Sequence, residues 1–142
     1  MKPDKRIIAF IDSQKNLSIG TCINNIQHCA SCFYAYSEEG NYVIFKSDKK
    51  TTHISNALIN PMVAGSVLPN IEKVGTIKGI QFTGIFKQPE DNLLQEAKNI
   101  YYSKYPFARA IGGDVWVVEF LSIKMTDNTL GFGKKLIWEK EI

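Results

Sequence analysis

From Leu17 the chain alternates between apolar and small polar side chains: Leu17, Ile19, Thr21 and Ile23 in one register, Ser18, Gly20, Cys22 and Asn24 in the other. Successive side chains of an extended backbone point to opposite faces, so this period of two predicts a strand with one face in a core. Asn24 and Asn25 read as a turn, after which CASCFYAYS (29–37) predicts a second strand. SEEGN, with Gly40 at the bend, then returns the chain into YVIFKS (42–47) as a third. Strands joined by such short turns run antiparallel.

The remaining segments add helices without building βαβ units. Ile7, Ile8 and Ile11 recur at helical spacing over residues 4–12, with Pro3 suited to a first turn. ISNALIN (54–60) places Ile54, Ala57 and Leu58 on one helical face and stops at Pro61. MVAGSVL (62–68) and the glycine-punctuated GTIKGIQFTGIFK (75–87) read as a fourth and a fifth strand. PEDNLLQEAKNIYYSKYP (89–106) is the clearest helix: Pro89, Glu90 and Asp91 suit its start, Lys104 its end, and Leu94, Ala97 and Tyr101 form an inward stripe. VWVVEFLSIKMT (115–126) is a sixth strand, and the tail gives a turn, two glycines and a final apolar pair. Six strands and three helices in this order predict a mainly β fold with edge helices, an antiparallel barrel or sheet.

With 142 residues, no internal repeat and no linker-like tract, a single domain over 1–142 is expected. The formal charge of +3 comes from lysines scattered as singles and pairs, not the dense stripe that nucleic acid requires. Apolar runs fall short of the ~18 residues of a membrane helix, so no membrane partner is expected. The basic start is interrupted by Asp12 and lacks a small-residue cleavage site, and three cysteines are an odd number, which together point to reduced thiols in a cytoplasm.

Candidate chemistry is sparse. Cys29 and Cys32 form C-x-x-C near Cys22 and His28, but on a strand residues three apart face opposite ways, and the second ligand pair of a closed zinc site is missing, so no metal site is expected. Gly131 and Gly133 make G-x-G without the third glycine of a nucleotide fingerprint, and no G-x-S-x-G or H-E-x-x-H motif occurs. The informative stretch is KSDKKTTHIS, Lys46 to Ser55, between the third strand and the short helix. Lys49, Lys50, the hydroxyls of Ser47, Thr51 and Thr52, and the open N–H groups of a helix start can converge there on a phosphate. The alternative is a solvated turn with Thr52 as a helix cap. His53 is the one residue worth testing as an acid or base, and no catalytic residue is otherwise identified.

The succession FYAYSEEGNYVIFKSDKKTTHISNALINPMVAG and then KGIQFTG resembles the pyridoxamine phosphate oxidase-like FMN-binding split barrel, a Greek-key type of antiparallel barrel, best over residues 25 to 125. A small bacterial group of that superfamily is similar nearly to the C-terminus, sharing TDNTLGFGKK followed by a tryptophan. The resemblance implies FMN as cofactor, its phosphate on Ser47 to His53 and its ring and ribityl chain along the second strand, Ser31, Cys32 and Phe33 included. Gln81 falls on a glutamine that contacts FMN in the oxidase, while the oxidase's adjacent Arg-Lys pair falls on Thr52 and His53. It also implies a homodimer with the cofactor at the subunit seam, Trp116, Phe120 and Trp138 being either interface or core. The expected activity is a flavin-dependent oxidoreductase acting on a small substrate that the sequence does not identify. The alternatives are a flavin- or haem-binding module without turnover, and a barrel that has lost its cofactor.

Overall fold

The structure, a computed structural model, describes residues 1–70, 73, 75–131 and 134–141. Phe132 and Gly133 of the TDNTLGFGKK tail, and with them the second glycine of the G-x-G, lie outside the described residues.

Helix α1 spans Lys5–Ser13. Asp4 is its N-cap and its carboxylate accepts from the Arg6 N–H at 2.8 Å, so Pro3 precedes the helix instead of standing in its first turn. Strands β1 (Asn16–Ile23) and β2 (Ile26–Ser37) form a hairpin across Asn24 and Asn25, whose φ values of 50° and 63° are the left-handed conformation of a two-residue turn. Strand β3 covers Tyr42–Ser47, helix α2 Thr52–Ile59, strand β4 Met62–Val67 and strand β5 Lys78–Lys87. Helix α3 runs Asp91–Lys104, followed by a 3₁₀ turn at Pro106–Ala110 that the sequence reading missed. Strand β6 is Asp114–Asp127, and the tail holds a seventh strand, β7 (Lys135–Glu139), where a turn and an apolar pair were expected.

All pairings are antiparallel, in the order β3-β2-β1-β4-β5-β6-β7. Because β4 returns beside β1, the first four strands take the Greek-key order. A further pairing of β3 with β6, Phe45 opposite Trp116, closes six strands into a ring. The first half of β6 gives one edge to β3 and its second half, Ser122–Thr126, gives that edge to β7. The ring is therefore not a regular barrel. Gly65 marks its tightest point: a Cβ there would lie 2.0 Å from the Ser18 carbonyl oxygen, so only glycine lets β4 lie this close to β1.

Two apolar layers form on the two sides of this wall. Inside the ring, Leu17, Ile19, Tyr34, Phe45, Phe82, Trp116 and Phe120 are buried, with Phe86 stacked on Trp116 at 5.3 Å between ring centroids. Trp116 and Phe120 are thus core within a single chain, and Trp138 packs half-buried against that core. Outside, α3 covers Ala35, Ile44, Val115 and Val117 with Ala97 and Tyr101, joined by the partly buried Leu93 and Ile100. Leu94 is only half-buried, one position off the stripe expected, and Leu58 of α2 faces solvent while Ile54 and Ala57 are buried. Among the described residues no helix is long and apolar enough to cross a membrane.

Candidate functional site

The expected site residues divide into three groups. The first is at one mouth of the ring. Cys32 stands in the inward row of β2 beside Ser47 at the end of β3, and His53 enters from the first turn of α2. The His53 imidazole Nε2 is hydrogen-bonded to the Ser47 hydroxyl at 2.9 Å, and the Cys32 sulfur lies 3.9 Å from both. Burial, and then the neighbouring His28, hold His53 below its ordinary value, so the imidazole is neutral near neutral pH. Burial pushes the Cys32 thiol up, opposed by its hydrogen bond with Ser47. Both groups are therefore uncharged in the resting protein.

The second group is the corner loop itself. Thr51 is the N-cap of α2, yet its hydroxyl turns back to donate to the Asp48 carbonyl at 2.8 Å and caps nothing. The first helical bond is Ser55 N–H to the Thr51 carbonyl at 3.0 Å, and the N–H groups of Thr52, His53 and Ile54 find no acceptor among the described residues. Three donors at the positive end of the helix are thus left open beside Lys49 and Lys50, both exposed and without an ion pair among the described residues. The Asp48 carboxylate is occupied by the Lys50 N–H at 2.8 Å.

The third group is on the outer wall. Ser31 and Phe33 point outward from β2, Phe33 being 57% exposed, so Cys32 and Phe33 occupy opposite faces of one strand and cannot line one slot. Gln81 also faces outward, in the lateral row Ser31, Ser18, Ser66, Gln81, Lys124, Ile137. Three strand spacings separate it from Ser31, about 14 Å.

Supports for the corner escaped the sequence reading because they come from distant segments. Trp116 donates its indole N–H to the Ser47 carbonyl at 2.9 Å, fixing the end of β3 from β6. Lys46 donates to the carbonyls of Ala108 and Ile111 and lies 5.1 Å over the Tyr102 ring, which also meets the Arg109 guanidinium at 4.8 Å. Gly113, at φ 112°, lies against Ser47 and Asp48, and a Cβ there would come within 3.3 Å of the Ser47 carbonyl carbon. The basic residues just before the loop and in Pro106–Ala110 were visible as composition. Their convergence was not.

No family model matches the chain. UPF0306 proteins of Yersinia pseudotuberculosis and Yersinia pestis are 40% identical to it over 112 residues, 79% of this chain and 76% of theirs. The chain belongs to the UPF0306 family. Among solved structures, this UPF0306 chain is similar to a haem-binding protein from Mycobacterium smegmatis, with a TM-score of 0.80 at 14% identity over 98% of the chain. It spans only 59% of that longer protein. A FAD-binding protein from Mesorhizobium loti aligns with a TM-score of 0.67 at 12% identity, covering 83% of this chain and 89% of the other. A Listeria innocua protein named for pyridoxamine 5′-phosphate oxidase aligns at 0.65 and 13% identity, covering 84% and 94%. The UPF0306 fold is that of the pyridoxamine phosphate oxidase-like split-barrel proteins.

Proposed function

We propose that this UPF0306 protein binds FMN at the α2 corner and works in the cytoplasm as a flavin-dependent oxidoreductase on a small, unidentified substrate. The observation that carries the reading is the unused cap: Thr51 leaves the N–H groups of Thr52, His53 and Ile54 open next to two free lysines. A phosphate group fits such a donor set, because open N–H groups and ammonium groups both favour a dianion. Ser47 and His53, bonded to each other and neutral, would help as hydrogen-bonding groups and not as charges. Trp116 and Lys46 hold the corner in place. When bound, FMN supplies hydride transfer through its ring system, which the protein orients and shields from water.

The bare outer wall supports a homodimer. Six strands present Ser31, Ser18, Ser66, Gln81, Lys124 and Ile137 in one row along the outside of the ring, and no helix among the described residues covers them. The outside of a ring is convex and offers no slot by itself. A second copy seated on it would close a seam for a planar ring, with Ser31 and Gln81 on its walls.

The test is an absorption spectrum of the purified protein with mass analysis of what heat releases, followed by titration with FMN and with riboflavin. FMN binding with a clear preference over riboflavin supports the corner, and equal affinity removes it. Bleaching by a reduced nicotinamide and reoxidation in air would establish turnover. A second reading, a carrier of flavin or haem, rests on Thr52 and neutral His53 standing where the oxidase has two cations. A Soret band without flavin absorbance would favour it.

A further inference from the structure

Away from the corner, the last turn of α1, the C-terminal end of β2 and the end of α3 border an open cleft of about 540 Å³, a volume that holds a small organic molecule. Ala35 and Ile100 give it an apolar floor, and Tyr36, whose ring is in the inner core, only borders it. Asp12, Asn99, Ser103 and Lys104 form its polar rim.

The two charges on this rim are of opposite sign and neither is settled by its surroundings. Asp12 lies in the last turn of α1, where the carbonyl ends of the helix disfavour an anion, and its exposed carboxylate has no hydrogen bond or ion pair among the described residues. Lys104 is half-buried, its ammonium over the Tyr34 and Tyr105 rings at 4.9 and 5.6 Å. It donates to the Gln14 carbonyl, the one acceptor it has among the described residues for its three N–H groups. Burial holds Lys104 below its ordinary value while the Asp12 charge opposes that shift, so the two groups sense each other without touching.

We propose that this cleft binds a small zwitterion, an α-amino acid with an apolar side chain, whose ammonium group meets Asp12 and whose carboxylate meets Lys104. A simple anion entering here is repelled by Asp12 and a simple cation by Lys104, whereas a zwitterion satisfies both. Asn99 and Ser103 offer further hydrogen bonds to the carboxylate, and the apolar side chain covers Ile100. The site is separate from the proposed flavin corner and stands without it.

The probe is L-phenylalanine, titrated against the intact chain by calorimetry or NMR shifts, beside 2-phenylethylamine, which lacks the carboxylate, and 3-phenylpropionate, which lacks the ammonium. Asp12→Asn is the principal variant, since Asp12 bonds to no described residue and the fold does not depend on it. Expected is saturable binding of L-phenylalanine that Asp12→Asn weakens by roughly tenfold, the loss of one charge-assisted bond. The amine should lose as much, and 3-phenylpropionate should bind the variant no worse than the parent. Lys104→Arg, which keeps the charge, should retain binding, and Lys104→Gln, checked for an unchanged melting temperature, should lose the acid and the zwitterion. No saturable binding of L-phenylalanine up to about 10 mM would overturn the proposal. So would an affinity unchanged by Asp12→Asn, or a parent protein that takes 3-phenylpropionate as tightly as the amino acid.

Discussion

Two halves of the same outer wall differ in what they show to the outside. Where α3 lies, outward residues are apolar and buried: Ala35, Ile44, Val115 and Val117 are each at most 5% exposed. Where no helix lies, the outward residues of the same strands become Ser31 on β2 and Ser122 and Lys124 on β6. The change takes place within one continuous strand of 14 residues, β6, so it does not reflect strand propensity. It reflects cover. Apolar area goes where a helix removes it from water, and small polar groups remain where only water or a second copy can come.

This contrast can be broken by experiment. Ile44→Ala, in the covered half, should cost about 2–5 kcal/mol in urea unfolding, because it leaves a cavity under α3. A loss under about 0.5 kcal/mol, the level of an ordinary surface change, would mean that α3 is not a real cover. Lys50→Ala, in the loop between β3 and α2, should weaken the proposed FMN binding by about 1.5–3 kcal/mol and leave riboflavin untouched, since riboflavin has no phosphate for the ammonium group to meet. Tyr105 bridges α3 to β2 by donating to the Tyr34 carbonyl at 2.7 Å, and burial pushes its hydroxyl up to about 12. Tyr105→Phe should therefore cost ~1 kcal/mol at neutral pH, and a neutral result would show that water replaces the bond.

The bare half should behave oppositely. Ser66→Arg should change the stability of the isolated chain by under about 0.5 kcal/mol, yet shift a dimer toward monomer in sedimentation. A dimer indifferent to that change would place the subunit contact elsewhere. The smallest expected effect is inside the ring mouth. Because the folded state lowers the affinity of His53 for a proton, the unfolded chain binds more protons in that window and stability rises with pH. The contribution is fully present above the ordinary imidazole value, about 6.5, and is lost as the pH falls below it. Unfolding midpoints at about pH 7.5 and about pH 5 should differ less in His53→Asn than in the parent, and equal slopes would exclude His53 as the source.

Much of the architecture was legible because alternation is a local property. Strand β3 appears at the residues its pattern named, and the Asn24–Asn25 turn is where two asparagines tolerate positive φ. The seventh strand was not legible: Lys135–Glu139 is five residues at a sheet edge, too short for its period to stand out. Parity along β2 already separates Cys32 from Phe33, although the resemblance to flavin proteins groups them. The corner was visible as a run of lysines and hydroxyls, but that Thr51 would decline to cap α2 depends on its bond to Asp48, which no residue type specifies.

The amino-acid order by itself determined which side of each strand faces inward, since that follows from a backbone whose side chains alternate. The folded chain alone decided that the ring closes, through Phe45 opposite Trp116 at a separation that local pattern cannot encode. It also decided which part of the wall α3 covers and which stays bare, because cover is a contact between segments remote in the chain.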